Sequence, residues 1–272
     1  DLWRPKKRIE VMYQKALKTM MQDIENRNSN IDSPTDMVRK IRDMVNDQEF
    51  LRYADSVAMR MVTHLFSDAG HTWREAAREN SKGRSIYEAL RNELNGAIGG
   101  EVKHQIERNA AIIKTLPLDI SRQVTEHVLK ESLNGKRASD IANEIKQFFP
   151  QSSRAKANLI ARTEVSKTST ALTKSRCEIS GVKWYVWRTS EDVRVRSSHE
   201  HMEGVLINWN NAPSPERLNH ERFAGYYHAG DIYNCRCYPE PVISLDYIKW
   251  PHKVYYQGRI QTMSKKQFEN IA

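Results

Sequence analysis

The residues best suited to chemistry lie between Asp192 and Cys237. This stretch follows the segment GVKWYVW, whose valine and aromatic residues predict a β-strand. Its first eight residues include four side chains that can carry a charge: Asp192, Arg194, Arg196 and His199. It closes with Cys235 and Cys237, a spacing that puts both sulfurs on one face of an extended segment. If His199 meets the two thiols, the stretch is a loop held at both ends.

Cysteine and histidine together could bind zinc, because thiolate sulfur and imidazole nitrogen are its usual protein ligands. The candidate ligands are His199, Cys235 and Cys237. A fourth ligand would come from His201, His228 or Asp192. A C-x-C pair is by itself a weak zinc signal. The alternative is two reduced, partly buried thiols beside a His199 that hydrogen-bonds a carboxylate or a carbonyl. We favour this alternative, which predicts no cofactor, and leave zinc open.

The same residues could also cleave nucleic acid. A metal-independent nuclease needs a general base beside phosphate-binding arginines. Residues for these roles are Glu164, Asp192, Arg194, Arg196 and His199. Arginines and carboxylates also form structural ion-pair networks, and we favour this interpretation over catalysis. The predicted network comprises Arg162, Glu164, Asp192, Arg194, His199, Cys235 and Cys237. A buried His199 would favour the structural role, and an exposed one would favour the enzyme.

The motifs of three other enzyme classes are absent from the sequence. It has no G-x-x-x-x-G-K-[ST] loop, so we do not expect the chain to be an ATP-driven motor. It also lacks G-x-S-x-G and H-E-x-x-H.

The chain is basic, with a formal net charge of +9, a pI near 9.4 and a mean hydropathy of -0.72. This charge predicts a polyanionic partner, nucleic acid before a membrane; a solvated basic surface is the alternative. The segment KWPHKVYYQGRIQ mixes basic and aromatic residues that could contact phosphates and stack on bases. The predicted nucleic-acid-binding residues are Lys249, Lys253, Arg259, Lys265 and Lys266.

Cysteine usage and hydropathy indicate the compartment. Three cysteines, two of them one residue apart, cannot make a disulfide framework. We find no signal peptide and no apolar run long enough to cross a bilayer. We therefore expect a cytosolic protein.

The first two thirds of the chain have the apolar spacing of amphipathic helices. DSPTD should cap the second helix, with Pro34 in its first turn and a break near Asn46 and Asp47. Asn134-Gly135 should cap a later helix, and Pro150 should end another. Besides the second helix, helices are predicted over residues 4–26, 86–113, 117–133, 140–149 and 153–180.

After Gly181 the pattern changes to strands. These are predicted over 182–189, 205–209, 238–243 and 253–257. The fold class is therefore α+β: a mostly helical N-terminal region followed by a small α+β domain with a short antiparallel sheet. We place the domain boundary near Pro150, which gives a region 1–150 and a domain 151–272.

Four motifs in order carry a family resemblance. They are ARTE on a helix, W-x-V-W-x-T after a glycine, D-x-R-x-R-x-x-H with a glycine five residues on, and a closing N-C-R-C. Over roughly Ala138 to Pro241 this order resembles the phage head morphogenesis family, the minor head proteins similar to the F protein of phage Mu. Some similar proteins carry C-x-x-C where this chain has Arg196 and His199, and a histidine where it has Ile232. Those proteins hold a complete set of zinc ligands by type.

The resemblance implies a structural virion component of a tailed phage. Such a protein is present in few copies inside the head near the portal, and it is in the host cytoplasm during assembly. Its implied partners are the portal protein, other capsid components and packaged double-stranded DNA, which it would contact without sequence specificity and accompany at ejection. Residues 1–150 would then dock on the portal or capsid.

Overall fold

The computed structural model describes residues 2–78, 83–91 and 93–272. Its contacts group into two compact units. The helical unit comprises residues 8–62 and 104–161, and the sheet unit comprises residues 1–7, 63–103 and 162–272. This grouping differs from the predicted division into 1–150 and 151–272. The predicted division assigns docking to residues 1–150 and the family domain to residues 151–272, and this assignment stays a prediction.

Helices dominate the chain up to residue 179, as predicted. Their bounds are α1 Lys7–Asn28, α2 Pro34–Asp43, α3 Gln48–Arg78, α4 Gly83–Arg91, α5 Ala97–Lys114, α6 Leu116–Leu133 and α7 Ala138–Ile179. Short 3-10 turns lie at Met44–Asn46 and Glu93–Asn95. In the described ranges no helix is both long and apolar enough to span a membrane.

Several helix ends lie where local sequence signals predict them. The Ser33 hydroxyl accepts the backbone N–H of Asp36 over 3.3 Å, which caps α2. The predicted break follows, and Asp47 accepts the N–H of Phe50 over 3.0 Å at the start of α3. This bond is the first cause of the lowered pKa of Asp47. After α6 the chain turns at Gly135, whose φ of +78° favours glycine.

The prediction that Pro150 ends a helix is wrong. α7 runs through Pro150 without a break, so the helices predicted over 140–149 and 153–180 are one. Proline removes a helical hydrogen bond and costs a helix interior about 3 kcal/mol. Phe149 and Ala157, on either side of the proline, are both buried. Burial of this face offsets the cost of the missing bond.

The helix predicted over 86–113 is interrupted. α4 and α5 are separated by the 3-10 turn at Glu93–Asn95, and Gly96 precedes α5. Asparagine and glycine are poor helix formers, and here they mark a real boundary.

The core of the helical unit consists of aliphatic and methionine side chains. α1 buries Leu17, Met20 and Ile24, and α2 buries Met37 and Ile41. The methionines are thus ordinary core, as their helical spacing predicts.

The sheet unit contains a five-stranded sheet of order β3-β1-β2-β4-β5. The strands are β1 Trp184–Arg188, β2 Leu206–Asn208, β3 Tyr238–Pro241, β4 His252–Tyr256 and β5 Arg259–Met263. The α+β class is confirmed, but the sheet is mixed rather than antiparallel, because β2 and β4 pair in parallel. β5 was not predicted. The chain ends with α10 Lys265–Glu269.

β1 is buried on both faces. Tyr185 and Trp187 point into the larger core cluster of the unit, which also contains the cysteines of the candidate site. Trp184 and Val186 point into a second cluster, where Phe268 of α10 covers Trp184. This alternation places Trp187 beneath the loop that follows β1.

Candidate functional site

Three side chains close the segment between β1 and β3, which includes β2 and which we call the loop. His199 lies on α8, a single turn that spans Ser197–Glu200, and Cys235 and Cys237 lie just before β3. The exposed fraction is 1% for His199 and 3% for each cysteine. We call these three residues the His–Cys cluster.

One imidazole nitrogen faces both sulfurs. Nδ1 of His199 is 3.5 Å from Sγ of Cys235 and 3.4 Å from Sγ of Cys237. The backbone N–H of Cys237 donates to Sγ of Cys235 over 3.3 Å. The three ligand atoms lie within 4.8 Å of one another, and no further His, Cys, Asp or Glu of the described ranges joins this group. The structure therefore brings together the three residues that the sequence singles out as metal ligands.

The other imidazole nitrogen is held by a buried tyrosine. Nε2 of His199 is 3.0 Å from the hydroxyl oxygen of Tyr227. That hydroxyl donates to Oε1 of Glu216, which lies on α9, Pro215–Leu218. Because the Tyr227 oxygen gives its hydrogen to the carboxylate, it accepts the Nε2 hydrogen of His199. The Nδ1 lone pair then faces the two sulfurs.

Burial and neighbouring charge determine the protonation of these groups. Burial, followed by the Glu216 carboxylate, raises the pKa of Tyr227, so the phenol stays a donor. The hydrogen bond between the two thiols lowers the pKa of Cys235 and raises that of Cys237. Of the two thiols, Cys235 is therefore the one that loses its proton more readily.

An aromatic side chain shields the cluster. The ring of Trp187 on β1 lies edge-on to the His199 ring, with centroids 5.6 Å apart and planes at 83°. It also contacts Tyr227 at 6.3 Å between centroids. These contacts restrict the rotation of the imidazole.

Hydroxyl groups on α7 fasten the closing end of the loop. Thr170 donates to the carbonyl of Ala229 over 2.7 Å, and Ser166 donates to the carbonyl of Cys237 over 3.5 Å. Thr163 accepts a backbone N–H from the start of the closing motif over 3.0 Å. Their spacing puts all three hydroxyls on one side of the helix. α7 therefore fixes the position of the backbone that carries the two cysteines.

Asp192, at the opening of the loop, pairs with Arg236 rather than with His199. The guanidinium donates to both carboxylate oxygens, at 2.6 and 2.8 Å. Burial opposes ionisation of Asp192, but the backbone N–H of Arg194 and the charge of Arg236 outweigh it and lower the pKa. Arg162 donates instead to the Asn234 side chain over 2.9 Å. The predicted network is thus distributed over several separate contacts.

A cavity of 60 Å³ opens beside the His–Cys cluster. All three cluster residues line it, together with Arg194, Arg196 and Arg236. Arg196 also donates to the backbone carbonyl of Tyr233 over 2.9 Å. The cavity is small and polar, and it is lined by three arginines, one of which is paired with Asp192, so it suits water or a small anion.

The other predicted site residues lie apart from this cluster. His201 is exposed, and His228 is buried with its Nδ1 3.1 Å from the Tyr185 hydroxyl. Glu164 is buried on α7. Three residues were proposed as the fourth ligand: His201, His228 and Asp192. None of them belongs to the His–Cys cluster.

The predicted nucleic-acid-binding residues are all exposed: Lys249, Lys253, Arg259, Lys265 and Lys266. The aromatic residues between them are used elsewhere. Tyr255 is buried, and Trp250 packs at a tilted angle against Phe268 with ring centroids 5.1 Å apart. This surface therefore offers charge to phosphates more than rings to bases.

The geometry does not favour the nuclease alternative. Both nitrogens of His199 are engaged, one by sulfur and one by Tyr227, and the ring is buried. A general base must reach the proton of a substrate or water. In this conformation His199 is placed to hold the loop.

Sequence reasoning missed Tyr227 and Glu216. Both are separated from His199 by β2 and by irregular segments, so no periodic pattern connects them. The one available signal was the burial expected of an aromatic residue beside a histidine in YYHAGD.

Comparison with known proteins identifies the matched region. Residues 122–239 match the family described as Phage Mu protein F like protein. The match contains α7, β1 and the whole loop up to the His–Cys cluster, and it confirms the resemblance to the phage head morphogenesis family. An uncharacterized protein of Haemophilus influenzae is 32% identical over 165 residues, which cover 61% of this chain and 34% of that protein. This chain thus spans about a third of that relative's length. No solved structure matches this chain.

Proposed function

We propose that this chain, whose residues 122–239 are similar to phage Mu protein F, is a minor head protein of a tailed phage that acts in head morphogenesis. The observation that carries the proposal is the extent of the match. It covers every element that closes the loop: α7, the strand beneath the cluster, and both ends of the loop itself. The likeness therefore concerns a folded domain rather than an isolated motif.

The geometry of the loop supports a structural role. His199, Tyr227 and Glu216 are buried and bonded to one another, and α7 hydroxyls hold the loop backbone. Buried networks of this kind stabilise a single conformation. A rigid loop fits a protein that presents a fixed surface to an assembly.

Within this proposal, the chain is located inside the head near the portal and in the host cytoplasm during assembly. Its partners are the portal protein, other capsid components and packaged DNA, which it contacts and accompanies at ejection. The docking part is the N-terminal region, where exposed cations cluster at Arg4, Lys6, Lys7 and Arg8. Exposed charges of this kind steer association with an acidic partner.

A portal-binding experiment tests the proposal. Purified portal oligomer from the phage or prophage that encodes this chain should retain the intact chain in a pull-down at moderate salt. Charge reversal of Arg4, Lys6, Lys7 and Arg8 to Glu should weaken retention, because it replaces attraction by repulsion. A matched control reverses Lys249, Lys253, Lys265 and Lys266, which changes the net charge equally and should leave portal binding intact.

Two outcomes would count against this function. Failure of the portal and of assembled heads to retain the intact chain, while assembly proceeds, would remove the virion role. Equal loss with both charge-reversed variants would refute the N-terminal docking surface, and any retention would then reflect net charge alone.

A further inference from the structure

We infer that His199, Cys235 and Cys237 bind one Zn²⁺ ion through Nδ1 and the two sulfurs, and that the fourth coordination position opens into the arginine-lined cavity. This inference goes beyond the proposed function, since neither the docking role nor the family match requires a metal.

The distances fit a common metal ion. Zn–S bonds of about 2.3 Å and a Zn–N bond of about 2.0–2.1 Å, in tetrahedral geometry, place ligand nitrogen and sulfur about 3.5 Å apart. Nδ1 of His199 is 3.5 and 3.4 Å from the two sulfurs. An Nδ1 lone pair can accept a hydrogen from one thiol in this geometry, but one metal ion can satisfy all three atoms at once.

The second nitrogen has the partner that a metal-bound histidine requires. Ligating histidines donate their other N–H to an oxygen, which fixes the tautomer and the ring orientation. Here Nε2 donates to Tyr227, which in turn donates to the buried Glu216 carboxylate. Nδ1 is thereby left unprotonated and aimed at the sulfurs. Tyr227 and Glu216 act as positioning residues.

The charges also balance. Binding replaces the protons of the two thiols, which leave to solvent, so two thiolates and one Zn²⁺ form a neutral centre. A neutral centre suits the burial of the three ligands, each at most 3% exposed. A pair of unmetallated thiolates in the same place would carry an uncompensated buried charge.

The fourth ligand comes from solvent. No fourth His, Cys, Asp or Glu in the described ranges lies in the group, while the cavity reaches all three ligand residues. Three protein ligands with one open position are the arrangement of zinc sites that bind water or substrate. Arg194, Arg196 and Arg236 line this cavity and would favour hydroxide or another small anion as the exchangeable ligand.

The primary test is metal content. The chain, purified with reductant and equilibrated with Zn²⁺ before removal of excess, should retain about one Zn²⁺ per molecule by plasma mass spectrometry. Cys235→Ser, Cys237→Ser and His199→Ala should each lower occupancy at least tenfold at the same free Zn²⁺. Cys177→Ala is the matched control, because Cys177 is also buried and unpaired by disulfide but is not part of the cluster. It should retain full occupancy.

A second measurement, the absorption spectrum of the Co²⁺ form, uses the folded parent and therefore does not depend on whether a ligand variant folds. Co²⁺ added to the folded parent should give intense sulfur-to-metal absorption and the visible bands of a four-coordinate site. Azide should shift these visible bands, because it replaces the solvent ligand. Tyr227→Phe should keep the cobalt spectrum but weaken Zn²⁺ affinity about 10- to 100-fold.

Each contrary result is decisive. A parent that binds no Zn²⁺ while all three thiols are free overturns the site, and a Cys235–Cys237 disulfide in the purified chain overturns it as well. If the parent binds one Zn²⁺ but azide does not change the visible spectrum of its Co²⁺ form, the fourth position is not open. Zn²⁺ retained equally by His199→Ala overturns the ligand set.

Discussion

At the scale of single residues, two buried histidines show how neighbours set protonation. His199 has a partner at each nitrogen, whereas His228 meets the Tyr185 hydroxyl and the ring of Trp209. Burial, followed by the charge of Lys174, lowers the pKa of His228 from 6.5 to about 4. The imidazole is therefore buried as the neutral form.

This depressed pKa predicts that part of the stability is lost on acidification. Below pH 6.5 the unfolded chain gains a proton on His228, while the folded chain stays neutral there until about pH 4. The free energy of unfolding should thus fall by up to about 1.4 kcal/mol per pH unit across this window. Urea unfolding between pH 7 and pH 5 should show a shallower loss in His228→Gln than in the parent.

The control for this experiment is His201→Gln, since His201 is exposed. It should keep the pH dependence of the parent. If His228→Gln and the parent lose stability in parallel between pH 7 and pH 5, burial of the neutral imidazole is not the cause.

At the scale of elements, α7 and the closing end of the loop approach each other too closely for any side chain at Gly230. A Cβ there would lie 2.6 Å from Oγ1 of Thr170 and 2.8 Å from the carbonyl oxygen of Cys237, and its φ is +87°. Glycine at this position lets the loop reach the helix, and the Thr170 hydroxyl then bonds the neighbouring backbone.

Gly230→Ala should therefore cost more than backbone strain alone. A left-handed conformation costs an ordinary residue about 1–2 kcal/mol, and the steric overlap adds about 1–3 kcal/mol. Gly258→Ala is the matched control: its φ is +78°, but no atom lies within 4 Å of the added Cβ. Urea unfolding should rank the parent above Gly258→Ala and Gly258→Ala above Gly230→Ala. Equal losses in the two variants would show that the close approach does not matter.

Elements were predicted where the signal is local. Ser33 and Asp47 begin helices because their own side chains accept nearby N–H groups. β1 was recognisable because its valine and aromatic residues favour a buried strand. Pro150 misled the prediction, because packing of the long α7 outweighs a local preference.

The candidate site was predictable only in part. His199 and the C-x-C pair were singled out by residue type and spacing, although they lie 36 and 38 residues apart in the chain. The contact between His199 and Tyr227, 28 residues apart, depends on how an irregular segment folds back, and it leaves no period in the sequence. The cavity beside the cluster likewise exists only in three dimensions.

At the scale of the whole molecule, net charge is the property that the sequence reports most directly. The formal charge of +9 is spread over exposed lysines and arginines in both units. In the sheet unit, the five predicted nucleic-acid-binding residues are exposed on and beside β4, β5 and α10. Lys265 is 3.6 Å from Asp246, a contact that water screens and that a phosphate could replace.

This distribution predicts double-stranded DNA binding that depends on charge and not on sequence. Each cation that meets a phosphate releases a counterion, so log affinity should fall linearly with log salt. Replacing Lys249, Lys253, Arg259, Lys265 and Lys266 by Gln should reduce the magnitude of this slope by up to about 4.5, at about 0.9 per phosphate contact. Fluorescence anisotropy with two unrelated duplexes over a salt series measures both slope and specificity.

The control replaces five exposed cations of the helical unit by Gln: Lys15, Lys40, Arg42, Arg52 and Arg60. Both variants have the same net charge. A difference between their salt dependences would therefore come from where the cations lie and not from their number. If the five sheet-unit residues form the surface, their variant should lose most of the salt dependence and the control should keep it. Equal reductions in slope would assign binding to overall charge, and affinity that survives high salt in the parent would exclude counterion release as its source.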